Sequence, residues 1–373
     1  MGAPFRPLVT VYAPSGTVIG SGSGSGCSSL DGLVQITAAT NGTFRIAVSS
    51  YYGNGTGAYL LSLAKVPREF VVSPGDEGGP LTNNVGSPGV IELGDIDMWS
   101  FEATTGDSIL LRMGSPGYRP HFQIFGPRGA PLGTATGSGS SAVDAYISIS
   151  ATNSGTFTVL VQSFYFDGAG PYTMHLAKIP GAFTTSPGDE GGTLHGDVSQ
   201  DGVIDLGDQY LWRFAMCRGE LIDLRCLKLS GATFNPRLRL FGRDGILLAT
   251  STSATEAVIN VTTTNSGIYT VMVDGNALNH AGSYRLTGSG IADGTSLCVP
   301  NVADPNVILG GVGGEPGTTF ILLTQTNVVA PLGQWAPILT NQFDTFGTFS
   351  RTSVYNRAEL QRYFILTQEL DGN

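Results

Sequence analysis

Residues 73–101 read SPGDEGGPLTNNVGSPGVIELGDIDMWSF, and residues 186–214 read SPGDEGGTLHGDVSQDGVIDLGDQYLWRF. Ser73 and Ser186, Gly94 and Gly207, Trp99 and Trp212, and Phe101 and Phe214 are each 113 positions apart, so no insertion or deletion interrupts the match. A repeat of that length is a domain and not a solenoid unit. Within the stretch, 89–93 reads as a short strand, Gly94-Asp95 as a turn and 98–101 as a second strand. Trp99 and Phe101 stand two apart and share one face, as a sheet packed on one side requires.

The stretch therefore opens one copy of a β unit, and the rest of each copy follows in the same order. After the Trp strand comes a Gly106-Asp107 turn, then SILLRM and RPHFQIFGPRG, in which Phe122 and Ile124 alternate inward. A Gly/Ser tract (137–141), AVDAYISIS, TNSGTFTVLV and GPYTMHLAKIP complete the unit, and the second copy repeats this order with TNSGIYTVMV and GSYRL. Its offset drifts from 113 to 116 and back to 112, and the slips fall in loops, where length changes are tolerated.

Residues 1–66 become intelligible only when laid on that template. Pro7, Tyr12, Gly16, Phe44, Tyr59 and Lys65 correspond at +113 to Pro120, Phe125, Gly129, Phe157, Tyr172 and Lys178. The expected organisation is a partial, carboxy-terminal half unit over 1–66, complete units over 67–179 and 180–291, a polar linker over 292–307 and a separate β module over 308–373. A half sandwich leaves strand edges and an apolar face open, so something has to complete it.

Composition fits an all-β chain with many turns: Gly is 53 of 373 residues and Lys plus Arg only 19. A net charge of −10 offers no basic cluster to displace phosphate counterions, so no nucleic-acid partner is expected. No apolar run approaches a membrane span. The opening MGAPFRPLVTVYAPSG lacks a basic region followed by an apolar one, so these residues are not expected to hold a signal peptide.

The candidate chemistry is carboxylate chemistry. The run 197–208 carries oxygen ligands at Asp197, Ser199, Asp201, Asp205 and Asp208 with Gly202 at the sixth place, the spacing of a calcium loop. The aligned first unit has Asn84 and Pro88 where the second has Asp197 and Asp201, and the flanks alternate with period two, which favours strand and turn over a helix-flanked site. Clustered hard oxygens in the turns suit Ca²⁺ more broadly. The candidate ligands are Asp76, Glu77, Asp95 and Asp97 in the first unit, with Asp189, Glu190, Asp197, Asp201, Asp205 and Asp208 in the second. The competing reading makes these residues turn formers bonded to nearby backbone N–H groups. No other cofactor is expected.

Catalytic signatures are absent from the sequence. His121, His175, His195 and His280 are scattered, with no HExxH and no G-x-S-x-G. His121 and His175 alternate with apolar strand residues and are expected to face solvent. Trp99 and Trp212 are expected in the cores. The four cysteines lack zinc spacing; Cys217 and Cys226, which flank one hairpin, are the candidate disulfide, with buried free thiols as the alternative.

The ordered set G-x-I-x-x-GD-x-D-x-W-x-F, a Gly-Asp turn, P-x-x-x-x-F-x-x-x-G, T-N-S-G-x-[FY]-T-V and G-x-Y resembles the bacterial pre-peptidase C-terminal domain over 71–286 and, as a half copy, over 1–66. The resemblance implies tandem jelly-roll-like β-sandwiches, a non-catalytic appendage of secreted bacterial peptidases and surface proteins whose collagenase relatives include collagen- and calcium-binding modules. Tyr210 stands where the first unit has Asp97, a departure that removes a carboxylate from the later copy. The tail is similar to a small carboxy-terminal β module of large secreted bacterial proteins.

The expected function is that of a non-catalytic structural or adhesive protein, extracellular or at the cell surface, whose copies join head to tail into a filament in which a neighbour completes the N-terminal half unit. The alternative is the accessory, matrix- or substrate-binding region of a larger secreted hydrolase with its catalytic domain upstream. Extracellular matrix or polysaccharide is the further candidate partner.

Overall fold

The computed structural model describes residues 5–24, 30–137, 143–165, 168–276, 281–291, 293–298, 301–303, 306–354 and 358–368. The protein is all-β; among the described residues the one helical turn is the 3-10 segment Leu332–Gln334. The chain divides into two compact units, Met1–Lys178 with Leu206–Asp208, and Ile179–Asp205 with Gln209–Asn373.

The first unit opens with β1 (Pro7–Tyr12), β2 (Val18–Ser23) and β3 (Arg45–Ser50), a three-stranded antiparallel sheet in the order β2-β1-β3. A sandwich follows: β4 (Gly78–Pro80), β5 (Gly86–Ile91), β6 (Asp97–Ala103), β7 (Ser108–Gly114), β8 (Pro120–Phe125), β9 (Pro131–Thr136), β10 (Asp144–Ser150), β11 (Gly155–Ser163) and β12 (Gly170–Ile179). Its sheets have the orders β4-β6-β11-β8-β9 and β10-β7-β12-β5. Alternate residues of β6 are buried, and Trp99 and Phe101 meet Val159 and Phe157 across the ladder. The Phe101 and Phe157 rings stack at 5.4 Å. Ile109, Leu111, Met113, Phe122, Ile124 and Met174 close the core between the sheets.

The second unit holds β13 (Gly192–Thr193), β14 (Gln200–Ile204), β15 (Gln209–Met216), β16 (Leu221–Lys228), β17 (Pro236–Phe241), β18 (Leu247–Thr252), β19 (Glu256–Thr262), β20 (Gly267–Gly275) and β21 (Gly282–Ser289). Their orders, β13-β15-β20-β17-β18 and β14-β21-β16-β19, repeat those of the first sandwich strand for strand. Its core is separate and contains Trp212, Phe214, Leu238, Tyr269 and Tyr284.

The carboxy-terminal module comprises β22 (Ser296–Leu297), β23 (Asn301–Ala303), β24 (Asn306–Val312), β25 (Thr319–Gln325), β26 (Ala336–Gln342), β27 (Thr348–Val354) and β28 (Tyr363–Gln368). β24 carries β22, β23 and β27, while β25 lies between β26 and β28. Phe320, Phe343 and Phe349 form its aromatic centre. Residues 292–307, expected as a linker, thus supply two short strands and the start of a third.

The cysteine pairing differs from the expected one. Cys217 is bonded to Cys298 with Cα atoms 5.5 Å apart, and Cys226 is a buried free thiol. β15 and β16 belong to opposite sheets, so Cys226 points into the sandwich core while Cys217 packs against Val312 of the carboxy-terminal module. Burial raises the Cys226 thiol well above its ordinary range.

Residues 30–66 differ from the corresponding parts of the two sandwiches. At +113, residues 33–38 correspond to β10 and 57–66 to β12, yet neither segment is a strand. In the first sandwich both are bonded to β7, and β12 also to β5; without such neighbours the backbone has no ladder to join. Tyr59, Leu61 and Leu63 are 60, 46 and 74% exposed, whereas their equivalents Tyr172, Met174 and Leu176 are 2, 0 and 2% exposed.

Candidate metal centre

Two turns of the first sandwich and the start of β6 bring carboxylates together. Asp76 ends the turn begun by Ser73, whose carbonyl accepts the Asp76 N–H at 3.1 Å; Gly75 there has a positive φ of 89°. Gly78 then carries the chain into β4 beside β6, where an added Cβ would lie 2.4 Å from the Met98 carbonyl oxygen. Asp95 closes the turn from Glu92, and its Oδ1 and Oδ2 accept the Ile96 and Glu92 N–H groups at 2.8 and 3.4 Å. Asp97 begins β6 and is buried.

The ligand oxygens of Asp76, Asp95 and Asp97 lie within 4.8 Å of one another, the one such group among the described residues. Asp97 is the informative member. Its Oδ2 accepts the Tyr172 hydroxyl at 2.5 Å, and the Trp99 indole N–H donates to that hydroxyl at 2.8 Å. Its Oδ1 is buried and has no hydrogen-bond partner among the described residues. Burial pushes the Asp97 carboxyl up to about 8, with the Asp95, Asp76 and Glu77 charges adding to the rise and the Tyr172 hydrogen bond opposing it. Burial also raises Asp95, against the pull of the Glu92 and Ile96 N–H groups.

This arrangement accepts either a proton or a cation. Protonated, Asp97 would donate its hydrogen to Asp95, a contact that offsets a small part of the rise in Asp95. A hard divalent cation performs the same neutralisation, and three carboxylates with a bare buried oxygen match the donor chemistry of Ca²⁺. Asp76, Asp95 and Asp97 would hold the ion, whose role would be to tie the turn before β4 to the turn before β6.

The other candidate ligands are dispersed. Glu77 adds charge but is outside the group of three. In the second sandwich, Asp189 accepts the Glu190 N–H at 3.2 Å within its own turn, and Glu190 accepts the N–H of Val203 in β14 at 2.6 Å. Asp197, at a positive φ of 57°, accepts the Ser289 hydroxyl at 2.6 Å; Asp201 pairs with Arg285 at 2.6 and 2.7 Å; Asp205 is exposed. Asp208, which belongs to the first unit, lies 3.0 Å from His175 Nε2. The run 197–208 therefore holds a strand, β14, and no helix flanks it.

Sequence reasoning missed Tyr172 and placed the histidines wrongly. The signal for Tyr172 was the constant G-x-Y, which sets a hydroxyl opposite Gly89 on β5; a Cβ there would lie 2.4 Å from the phenol. His121 and His175 are buried instead of solvent-facing. His121 Nδ1 is 2.8 Å from the Thr136 hydroxyl and its ring packs near Phe164, which gives the polar edge a partner inside the fold. His195 lies 3.2 Å from Asp293, and His280 is outside the described residues.

No family model matches the sequence, and no curated protein matches it. Among solved structures, the pre-peptidase C-terminal domain of a collagenase from Bacillus anthracis is similar to this chain with a TM-score of 0.24 and 18% identity, covering 27% of this chain and 95% of that one.

Proposed function

We propose that this chain is a non-catalytic extracellular structural or adhesive protein that associates through its N-terminal region, with calcium held by Asp76, Asp95 and Asp97. The single observation that carries the reading is the contrast between Tyr59, Leu61 and Leu63, exposed to solvent, and Tyr172, Met174 and Leu176, buried at the same repeat positions. A free apolar face of this kind marks an interaction surface. The Cys217–Cys298 disulfide supports an oxidising compartment.

Head-to-tail association into a filament is the homopolymeric form of this reading. Sedimentation velocity and negative-stain microscopy test it: concentration-dependent growth is expected, and a monomer at all concentrations would count against it. The calcium component is tested by terbium luminescence excited through Trp99. Emission is expected from the parent and not from Asp97→Asn; equal emission from both removes the site.

A second reading is favoured by the repeat order itself. In both complete sandwiches the strands that cover β10 and β12, or β19 and β21, come earlier in the chain. A longer polypeptide with such strands ahead of Pro7, as in the accessory region of a secreted hydrolase, would meet the same need.

A further inference from the structure

A guanidinium stacked on a pair of aromatic rings is built twice in the first unit. Arg6 precedes β1 and Arg119 precedes β8, while Tyr51-Tyr52 follow β3 and Phe164-Tyr165 follow β11. The Arg6 carbonyl accepts the Tyr51 N–H at 2.8 Å, and the Arg119 carbonyl accepts the Phe164 N–H at 3.0 Å. Each guanidinium thereby lies over the first ring of its pair, with Cζ 4.1 Å from the Tyr51 centroid and 3.9 Å from that of Phe164. Its Nε donates to the carbonyl of Gly24 or Gly137, at 2.7 and 2.5 Å. Its Nη1 donates to the hydroxyl of the second ring, Tyr52 at 3.1 Å and Tyr165 at 3.2 Å. The two rings of each pair meet edge to face, at 5.1 and 5.0 Å.

The fold does not require this stack. In the second sandwich Asn235 and Asn276 occupy the places of Arg119 and Phe164, and Ala277 follows in the sequence where the first has Tyr165. The same backbone bond is made there, from the Asn276 N–H to the Asn235 carbonyl at 2.9 Å. The bond beside it is kept too: the Gly24, Gly137 and Ser253 N–H groups donate to the Pro7, Pro120 and Pro236 carbonyls. Closure of the strand ends therefore does not account for the guanidinium and the rings. What they produce is a fixed, open ring. Tyr52 and Tyr165 are 56 and 52% exposed, and with Tyr51 they are three of the four exposed aromatic side chains among the described residues.

We infer that Tyr52 and Tyr165 are stacking platforms for the pyranose rings of a neutral polysaccharide, each held in place by its arginine and its aromatic neighbour. A pyranose has an apolar C–H face and a rim of hydroxyls. The negative face of a tyrosine ring suits the first, and a phenol whose oxygen already accepts an arginine N–H is left to donate to the second. Anchoring the ring in advance lowers the side-chain entropy lost on binding. The net charge of −10 opposes an acidic polymer and not a neutral one. Two such rings in each chain suit a ligand that repeats along its length. This names a ligand class for the adhesive reading, on which it rests, and uses none of Tyr59, Leu61 and Leu63.

Affinity electrophoresis of the full chain tests this, in native gels cast with mixed-linkage β-glucan, galactomannan or xylan and compared with a plain gel. Retardation is expected in at least one of these neutral gels. Tyr52→Ala and Tyr165→Ala are each expected to raise the dissociation constant about tenfold, the cost of losing a central aromatic contact, and together to abolish retardation. Both rings are exposed, so the thermal transitions should stay in place. Tyr52→Phe with Tyr165→Phe keeps the rings and loses one hydroxyl bond at each, and should bind within about fivefold of the parent. The inference is overturned by no retardation in any neutral gel, by retardation with alginate or gelatin alone, by equal retardation of the double Tyr→Ala variant, or by complete loss in the double Tyr→Phe variant. Sedimentation of these variants is expected to match the parent, so failure here leaves association through residues 57–66 standing.

Discussion

Asp97 is a carboxyl whose burial makes folding prefer the protonated form. Its value of about 8 in the fold compares with about 3.9 for an unfolded aspartate. Below roughly pH 4 both states hold the proton. From there to about pH 8 the native state binds more protons than the unfolded one, so stability falls as pH rises, and above that range the full loss is present. Urea midpoints measured with chelator at pH 5 and pH 8.5 should show this decline, and Asp97→Asn, which mimics the neutral carboxyl, should flatten it. Gly89 controls the same site from the neighbouring sheet, because the Tyr172 phenol occupies the space of its missing Cβ. Gly89→Ala is expected to destabilise the first sandwich by about 1–3 kcal/mol through overpacking, read as a lowered denaturation midpoint.

Between the second sandwich and the carboxy-terminal module, the Cys217–Cys298 bond closes a stretch with a sequence separation of 81. In the chain-entropy account a loop of that size contributes about 4.5 kcal/mol by restricting the unfolded state. Cys298→Ser should therefore lower the guanidinium midpoint of the second unit, with a smaller shift in the first. Cys226→Ala, which leaves the bond intact, should lack that effect and show only the modest cost of altered core packing. The N-terminal sheet teaches a complementary lesson about elements. Residues 33–38 and 57–66 have the apolar alternation of β10 and β12 but no strand structure, because a strand is defined by its neighbours and not by its own pattern.

For the molecule as a whole, the exposed Tyr59, Leu61 and Leu63 would be the main thermodynamic drive for the proposed association. Burying each such side chain stabilises a complex by about 1.5–3 kcal/mol before the entropy of association is counted. Leu61→Asp with Leu63→Asp should weaken any self-association seen by sedimentation by at least tenfold while leaving the thermal transitions of both sandwiches in place. Loss of those transitions would instead mean that residues 57–66 belong to the first sandwich core.

Much of this was written in the chain. The repeat at 113, the Trp99 and Phe101 alternation and the Gly-Asp turns determined an all-β protein with two like units, because period and turn chemistry are local properties. The carboxylates of the candidate centre were legible as residue types, yet only the fold separated Asp76, Asp95 and Asp97, which converge, from Asp197 and Asp201, which pair with Ser289 and Arg285. The disulfide partner, the burial of His121 and His175 and the bridging role of Tyr172 were likewise decided in three dimensions. Sequence records which face a side chain takes on its own strand; which strand lies opposite is set by the packing of two sheets, and that is where proximity, burial and ionisation arise.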